Sequence, residues 1–297
     1  MTLRIGFIGC VKSSREFLNV LLEMPQVEVC AVVTKSESSI NNDFSNLSDI
    51  CKTLSIPYHI ETSKQKDESR IFLEKYNLDL IYCFGWSYLL TEDILSLPKI
   101  CVVGFHPAKL PKNRGRHPII WALALGLKET ASTFFKMDLG ADTGEIINQQ
   151  DIVIDADDNA QDLYNKIINC GKEQVKELTL QFFNDEIDLK SQDHTQASSW
   201  RKRTREDGLI DWRMSANSIF NLVRALSPPY PCAEFKIGHK FVKVPKCSVE
   251  LGKYPLNIEP GYILKRFPSS LLVKVSGTDA VLLENLEIDF EIEGDYL

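Results

Sequence analysis

The sequence of 297 residues has no apolar run near the ~18 residues typical of a membrane-spanning helix. Its first residues lack the long apolar segment and the small-residue cleavage site of a signal peptide. The eight cysteines include no Cys-x-x-Cys pair and no Cys/His cluster at zinc spacing. We therefore expect a cytoplasmic protein with buried free thiols, no metal site and no membrane partner.

Charge and composition further limit the kind of protein this can be. The net charge is −7, from 34 basic and 41 acidic side chains, which argues against a broad nucleic-acid-binding surface. Hydrophobic residues make up 44% and charged residues 25% of the chain, as in ordinary globular proteins. We expect one large domain or two modest ones, and no nucleic-acid partner.

Apolar runs and helical patterns alternate over residues 1–190. Strands are predicted near 3–8, 27–33, 78–84 and 100–105, and helices lie between them, including one at 89–97. This alternation is typical of a doubly wound, Rossmann-like parallel sheet, which places ligands at the carboxyl ends of its strands. An amphipathic helix at 162–183 closes this α/β domain, and the polar segment 184–199 is predicted to be a linker.

Residues 200–297 show a different pattern. A helix near 216–225 precedes a Ser-Pro-Pro-Tyr-Pro turn, and several short apolar segments follow it. The predicted strands lie near 233–237, 240–244, 261–264, 271–275 and 280–287. We expect a second, smaller, β-rich domain of OB-like type.

His106 is the first candidate catalytic residue. The strand near 100–105 ends directly on it, and Pro107 and Pro111 stiffen the turn that follows. An imidazole held in this position suits general acid–base catalysis. A histidine that satisfies backbone groups of the loop fits the position equally well.

Two aspartates form the second candidate group. A strand leads into a turn in which Gly140 and Gly144 bracket Asp142, and Asp138 lies just before them. Asp142 is placed to pair with His106, as carboxylates pair with imidazoles in other enzymes. Both aspartates also suit turn capping, and for Asp138 the capping interpretation is favoured.

Four motifs now identify a resemblance. They are His-Pro-x-x-Leu-Pro-x-x-Arg-Gly at 106–115, Gly-Ala-Asp-Thr-Gly at 140–144, Asp-Gly-Leu-Ile-Asp-Trp at 207–212 and the segment at 221–231 that ends in Ser-Pro-Pro-Tyr-Pro. In this order and spacing the chain resembles the folate-dependent formyltransferase family, in particular its sugar N-formyltransferase branch, which is related to methionyl-tRNA formyltransferase. The resemblance implies the same two-domain fold.

The chemistry that the resemblance implies is transfer of a formyl group from 10-formyltetrahydrofolate to a primary amine. The family uses an Asn–His–Asp set, and His106 and Asp142 match its second and third members. Gly104 stands where the family has asparagine, so an oxyanion donor worth about 10²–10³ in rate is missing. Either another donor replaces it (a backbone N–H, Asn113, a water molecule or His106 itself), which is favoured, or activity is reduced. If position 104 still faces the reacting centre, Gly104→Asn is expected to be tolerated or to improve transfer.

The resemblance also implies two sets of binding residues. The folate set is Phe84, Gly85, Trp86, Leu90, Met137, Asp138 and Ala141. Phe84 and Leu90 are expected to form apolar walls of the pocket. For Trp86, ordinary packing is an alternative. The acceptor set is Lys12, Ser13, Asn113, Arg114, Gly115 and Arg203. Arg203 belongs to the basic run 201–205, which suits either a pyrophosphate clamp or a solvated linker.

The acidic charge favours a small acceptor within this family. We expect a nucleotide-linked amino sugar, such as a 4-amino-4,6-dideoxyhexose on UDP or dTDP, used in polysaccharide biosynthesis. Methionyl-tRNA is the alternative acceptor, and a folate- or sugar-binding protein with a weakened site is the alternative without catalysis. Sugar N-formyltransferases are often dimers, and the apolar segment 271–287 permits a homodimer.

Overall fold

The computed structural model describes residues 2–37, 43–62, 66–228 and 230–297. Contacts divide the chain into two compact units. The first unit comprises Met1–Gly115, Ala131–Ile152 and Lys166–Ser199, and the second comprises Arg116–Thr130, Val153–Asn165 and Trp200–Leu297. Pro229, part of the fourth motif, lies outside the described residues. The domain limits 1–190 and 200–297 stay a prediction.

A seven-stranded sheet forms the centre of the first unit, with the order β3-β2-β1-β4-β5-β7-β8. Its strands are β1 (Leu3–Gly9), β2 (Val27–Thr34), β3 (Tyr58–Ile60), β4 (Leu80–Phe84), β5 (Cys101–His106), β7 (Glu129–Lys136) and β8 (Ile146–Val153), and β6 (Arg114–Gly115) and β9 (Ser199–Trp200) are two-residue strands elsewhere. β1 pairs in parallel with β2 and β4, whereas β7 pairs antiparallel with β5. The Rossmann-like prediction is confirmed, with an antiparallel addition at one side.

Seven helices accompany these strands in the described part of the chain. They are α1 (Lys12–Leu22), α2 (Ser48–Leu54), α3 (Lys66–Leu73), α4 (Glu92–Leu95), α5 (Pro118–Ala124), α6 (Ala160–Phe183) and α7 (Ala216–Ala225). None of them is long and apolar enough to cross a membrane. The helix predicted at 89–97 is wrong in extent, because α4 has only four residues between Thr91 and Ser96.

The order in which strands are added to the sheet reverses between β1 and β4: β2 and β3 lie on one side of β1, whereas β4 and β5 lie on the other. Gly9 and Phe84, the last residues of β1 and β4, are paired in register. The Ser14 hydroxyl donates to the Phe84 carbonyl oxygen at 2.6 Å, which ties the start of α1 to the end of β4. Ligands of such folds bind at this edge.

Segment 184–199 is a correction to the sequence analysis. It was predicted to be a polar linker, yet it is part of the first unit. Lys190 and Ile146 exchange backbone hydrogen bonds at 2.8 and 2.9 Å, and Gln192 is buried. Most of the segment is exposed to solvent, and Gln192 is its one buried residue.

The second unit is β-rich, as predicted. Two small antiparallel sheets follow α7, one of two strands and one with the order β12-β15-β14-β13. Their strands are β10 (Ala233–Ile237), β11 (Lys240–Val244), β12 (Lys246–Glu250), β13 (Ile263–Phe267), β14 (Ser270–Lys274) and β15 (Ala280–Glu284). β12 was not predicted, because charged residues at its two ends interrupt the apolar pattern.

Candidate active site

His106 is the last residue of β5, and its side chain is almost fully buried. The ring Nε2 lies 2.8 Å from the Asn113 carbonyl oxygen, and Nδ1 lies 3.5 Å from Asp142 Oδ2. Both ring nitrogens therefore face acceptors. The ring is therefore held between a backbone carbonyl and a carboxylate, which fix its orientation.

Asp142 is held in an unusual backbone conformation. Its φ is +58°, in the left-handed region that aspartate tolerates better than most residues. Its Oδ2 accepts a hydrogen bond from the Gly115 backbone N at 2.8 Å, in addition to facing His106. The carboxylate is thus oriented by backbone before any ligand arrives, and the two predicted catalytic side chains lie together.

The loop between His106 and Gly115 is anchored by a residue that the sequence did not single out. Ser198 Oγ accepts from the Asn113 backbone N at 2.9 Å, and the Ser198 carbonyl oxygen accepts from the Arg114 backbone N at 2.9 Å. Asn113 has a φ of +63°, so its conformation needs such support. The hydroxyl and carbonyl of Ser198 hold the stretch that carries the His106 partner.

Asp138 stabilises the turn that presents Asp142. Its Oδ1 accepts from the Gly140 backbone N at 3.0 Å and from Thr143 Oγ1 at 2.5 Å. This is turn capping, the interpretation favoured for Asp138 from the sequence. Ala141 lies exposed on the same turn.

Three of the predicted folate residues come together in space. Leu90 belongs to a buried cluster with Val102 and Ile94, and Trp86 and Met137 pack against that cluster from a partly buried position. Trp86 follows the carboxyl end of β4, where folds of this type bind ligands. Met137 follows the antiparallel strand β7, and its backbone N donates to the Val102 carbonyl oxygen near the start of β5.

Phe84 and Gly85 contribute differently from what was predicted. The Phe84 side chain has no exposed surface and packs edge to face against Phe7 and Phe17 at ring distances of 5.6 and 5.4 Å. Its side chain is part of the core, so it does not form the predicted apolar wall. Gly85 has a φ of +64°, and a Cβ there would lie 2.0 Å from Val11, so only glycine fits.

The space around Gly104 is closed. A Cβ at this position would lie 2.8 Å from the Phe135 ring and 2.8 Å from Met137 Cγ. Phe135 is 3% exposed and lies opposite Gly104 in the register of β5 and β7. The expectation that Gly104→Asn is tolerated therefore conflicts with the packing of this strand.

Among the predicted acceptor residues, Lys12 and Ser13 lie in the first turn of α1, where Lys12 is exposed and Ser13 is buried. Arg114 differs from the prediction, because its side chain is only 7% exposed. Its Nη2 donates to Gln192 Oε1 at 2.6 Å and contacts His194 Nδ1 at 3.1 Å. The Arg114 guanidinium is thus engaged by Gln192 and His194 of the same unit.

Arg203, in the second unit, is also directed inward. It is 9% exposed, its guanidinium lies 4.5 Å from the centre of the Trp121 ring, and it donates to the Asp207 carbonyl oxygen. Burial lowers its pKa from the ordinary arginine value. Arg201 pairs with the Asp207 carboxylate and Arg205 with Glu234. The three arginines of the basic run have partners within their unit, Lys202 is exposed, and acceptor binding by Arg203 stays a prediction.

No group of three or more His, Cys, Asp or Glu side chains in the described residues is arranged to hold a metal ion. Gln192 and Ser198, both in segment 184–199, are the polar residues around His106 and Asp142 that sequence reasoning missed. The chemistry that the arrangement supports is proton transfer at the His106 ring, beside a carboxylate of fixed orientation.

Two family models of known proteins match this chain, one in its N-terminal part and one in its C-terminal part. The family model for formyl transferases matches residues 9–179, and the model for the formyl transferase C-terminal domain matches residues 202–291. The methionyl-tRNA formyltransferase of Caldanaerobacter subterraneus is 32% identical over 289 residues, which cover 95% of this chain and 91% of that protein.

Solved structures share the fold at lower identity. WlaRD, a sugar 3N-formyl transferase, superposes with a TM-score of 0.71 at 16% identity and covers 96% of this chain and 98% of its own. The N-formyltransferase from Helicobacter canadensis gives a TM-score of 0.70 at 16% identity, with coverage of 95% and 99%. From the family models and the sequence relative, the chain belongs to the formyl transferase family and is a formyl-transferring enzyme.

Proposed function

We propose that the protein transfers a formyl group from 10-formyltetrahydrofolate to the amine of a nucleotide-linked amino sugar, with His106 and Asp142 as the catalytic residues. The observation that carries the proposal is the 3.5 Å approach of His106 Nδ1 to Asp142 Oδ2 at the end of β5, inside the region that matches the family model. Membership of the family supplies the reaction class.

The folate donor supplies the formyl carbon, which forms a bond to the amine nitrogen while its bond to N10 of the folate breaks. The amine must lose a proton in this exchange, and N10 must gain one. We assign both proton transfers to His106, whose ring is oriented by the Asn113 carbonyl at Nε2 and the Asp142 carboxylate at Nδ1. Asp142 keeps its orientation through the Gly115 backbone N.

Support for the folate donor comes from the chain and from its structural neighbours. Trp86 and Met137 are partly buried and pack against the apolar cluster that contains Leu90. WlaRD was solved in the presence of dTDP and 5-N-formyl-THF, and the Helicobacter canadensis enzyme in complex with folinic acid and dTDP-3-aminofucose.

Charge supports a small acceptor. The chain carries a net charge of −7, and Arg201, Arg203 and Arg205 are satisfied by groups of their own unit. A protein that neutralises several RNA phosphates needs unpaired cations on its surface. The sugar N-formyltransferases among the structural neighbours point to the same acceptor class.

Methionyl-tRNA is the second candidate acceptor. The observation in its favour is that the relatives with 29–32% identity over nearly the whole chain are named methionyl-tRNA formyltransferases. The two acceptors differ in their response to salt. Affinity for tRNA falls steeply as the salt concentration rises, whereas the affinity for a nucleotide sugar with a single diphosphate falls only weakly.

The catalytic roles are tested by His106→Gln and Asp142→Asn. We expect each variant to lose formyl transfer by about 10²-fold or more while it still binds the folate donor. His239→Gln is the matched control, because His239 is exposed in the second unit. Formyl transfer near the wild-type rate in either catalytic variant would refute the assigned roles.

A further inference from the structure

Gln192 uses its side-chain amide to connect two loops of the first unit. Its Nε2 donates to the Asp142 carbonyl oxygen at 3.0 Å and to the Gly144 carbonyl oxygen at 2.6 Å. Its Oε1 accepts from Arg114 Nη2 at 2.6 Å. Gln192 is only 7% exposed, so these contacts are made away from solvent.

The orientation of the amide is set by its partners. Two carbonyl oxygens require donors and a guanidinium requires an acceptor, so the amide nitrogen faces the 140–144 turn and the amide oxygen faces Arg114. A carboxylate at this position would keep the bond to Arg114 and would oppose the carbonyl oxygens of Asp142 and Gly144. The site therefore requires glutamine rather than any polar residue of this size.

The loops that Gln192 connects are the ones that surround His106. The 140–144 turn carries Asp142, whose Oδ2 faces His106 Nδ1 at 3.5 Å. The loop that contains Arg114 carries the Asn113 carbonyl at 2.8 Å from His106 Nε2. A change at Gln192 therefore reaches both acceptors of the His106 ring without touching the ring itself.

Asp142 has a backbone φ of +58°, in the left-handed region, which only a minority of non-glycine residues adopt. Hydrogen bonds to the surrounding peptide groups help to hold this conformation. Gln192 Nε2 bonds to the carbonyl oxygens at the two ends of the Asp142–Thr143–Gly144 stretch. These bonds restrict rotation of the peptide groups that orient the Asp142 carboxylate.

We propose that Gln192 is a positioning residue that sets the distance and angle between Asp142 and His106. The inference rests on the proposed function, since it assumes that this pair is catalytic. Misplacement of a reacting group by about 1 Å costs about 10²-fold in rate, so the loss of the two donors is expected to act on kcat more than on KM for the folate donor.

The decisive variant is Gln192→Glu, compared with Gln196→Glu as a matched control. Gln196 lies exposed in the same segment, so its replacement makes the same chemical change without the buried contacts. We expect Gln192→Glu to lower kcat by about 10- to 100-fold with KM nearly unchanged. Gln196→Glu is expected to behave like the wild type.

A second readout does not depend on turnover. The chain has five histidines, so ¹⁵N-histidine labelling gives a small set of ring signals, and the His106 signals are those lost in His106→Gln. Gln192→Glu should shift the His106 signals and leave those of His59 and His239 in place. Gln192→Met, which removes the donors without adding charge, should give the same pattern.

The outcomes separate the inference from the proposed function. Full turnover in His106→Gln or Asp142→Asn would refute the proposed catalytic roles, and the inference with them. Loss of turnover in those variants with normal kcat and unshifted His106 signals in Gln192→Glu would overturn the inference alone. A general loss of dispersed signals in both Gln192 variants would assign a structural role and would also overturn it.

Discussion

Replacement of Gly104 by a residue with a side chain is expected to destabilise the protein. Gly104 lies in β5, between β4 and β7, and is buried. A Cβ there would lie 2.8 Å from Phe135 Cζ and 2.9 Å from Phe135 Cε1, both below the distances that real Cβ atoms keep. Met137 Cγ, at 2.8 Å, belongs to a flexible side chain.

The size of the effect follows from the Phe135 ring. Phe135 is 3% exposed, so relief of the contact must shift a buried aromatic side chain or the strand that carries it. Overpacking of this kind costs about 1–3 kcal/mol. The expected fall in the thermal midpoint is about 2–4 °C for each kcal/mol. Asparagine adds a polar amide to the same crowded place, so Gly104→Asn should lose at least as much stability as Gly104→Ala.

A double-mutant cycle with Phe135→Leu tests this reasoning by thermal and denaturant unfolding. Leucine at 135 shortens the side chain that meets the new Cβ, so Gly104→Ala should cost less in that background than in the wild type. Stability and formyl transfer are measured on these four proteins and on Gly104→Asn. Gly104→Asn with wild-type stability and undiminished transfer would refute the packing argument and restore the expectation drawn from the sequence.

Three further predictions concern titration and accessibility. Burial, followed by the charge of Arg116, lowers the pKa of His117, so the contribution of His117 to stability is complete above pH 6.5 and is lost as the pH falls towards the folded-state pKa. The free energy of unfolding of His117→Gln should therefore depend less on acid in that range. An unchanged pH dependence would contradict the assignment. Asp207→Asn should lower the free energy of unfolding by about 1 kcal/mol at neutral pH, because the bond from Arg201 holds the Asp207 pKa below its usual range. Equal stability of the wild type and the variant would show that the Arg201–Asp207 pair contributes nothing to stability. In native thiol titration Cys170 and Cys232, which are half-buried, should react before the six buried cysteines, and rapid reaction of all eight would contradict the fold.

The pairing of His106 with Asp142 was predictable because carboxylates pair with imidazoles and because both residues match members of the family's catalytic set. The strand order alone does not bring them together, since β7 runs antiparallel to β5 and Met137, the residue after β7, bonds to the Val102 carbonyl oxygen near the start of β5. Trp86 and Met137 were predicted as folate residues from the same resemblance.

Burial of polar side chains was not predictable from local sequence. Arg114 and Arg203 lie in polar stretches that look exposed, yet each is buried against partners far along the chain, Gln192 for one and Trp121 for the other. Gln192 is 50 residues from Asp142, and nothing near it in the sequence marks the contact. Such contacts depend on tertiary packing, which periodicity does not encode.

The expectation for Gly104→Asn failed to anticipate the packing around Gly104, which also depends on tertiary contacts. From the sequence Gly104 is a missing asparagine, whereas in the structure its side-chain space is filled by Phe135. The pairing of Gly104 with Phe135 depends on the antiparallel register of β5 and β7, which the predicted all-parallel arrangement did not contain.

The most direct test of the central claim is a formyl-transfer assay with 10-formyltetrahydrofolate and a panel of acceptors, with products identified by mass spectrometry. The panel contains UDP- and dTDP-linked amino sugars and initiator methionyl-tRNA, and each acceptor is also offered to His106→Gln. We predict that a nucleotide-linked amino sugar is formylated by the wild type and not by the variant. Transfer to methionyl-tRNA alone, or equal transfer by His106→Gln, would contradict the account.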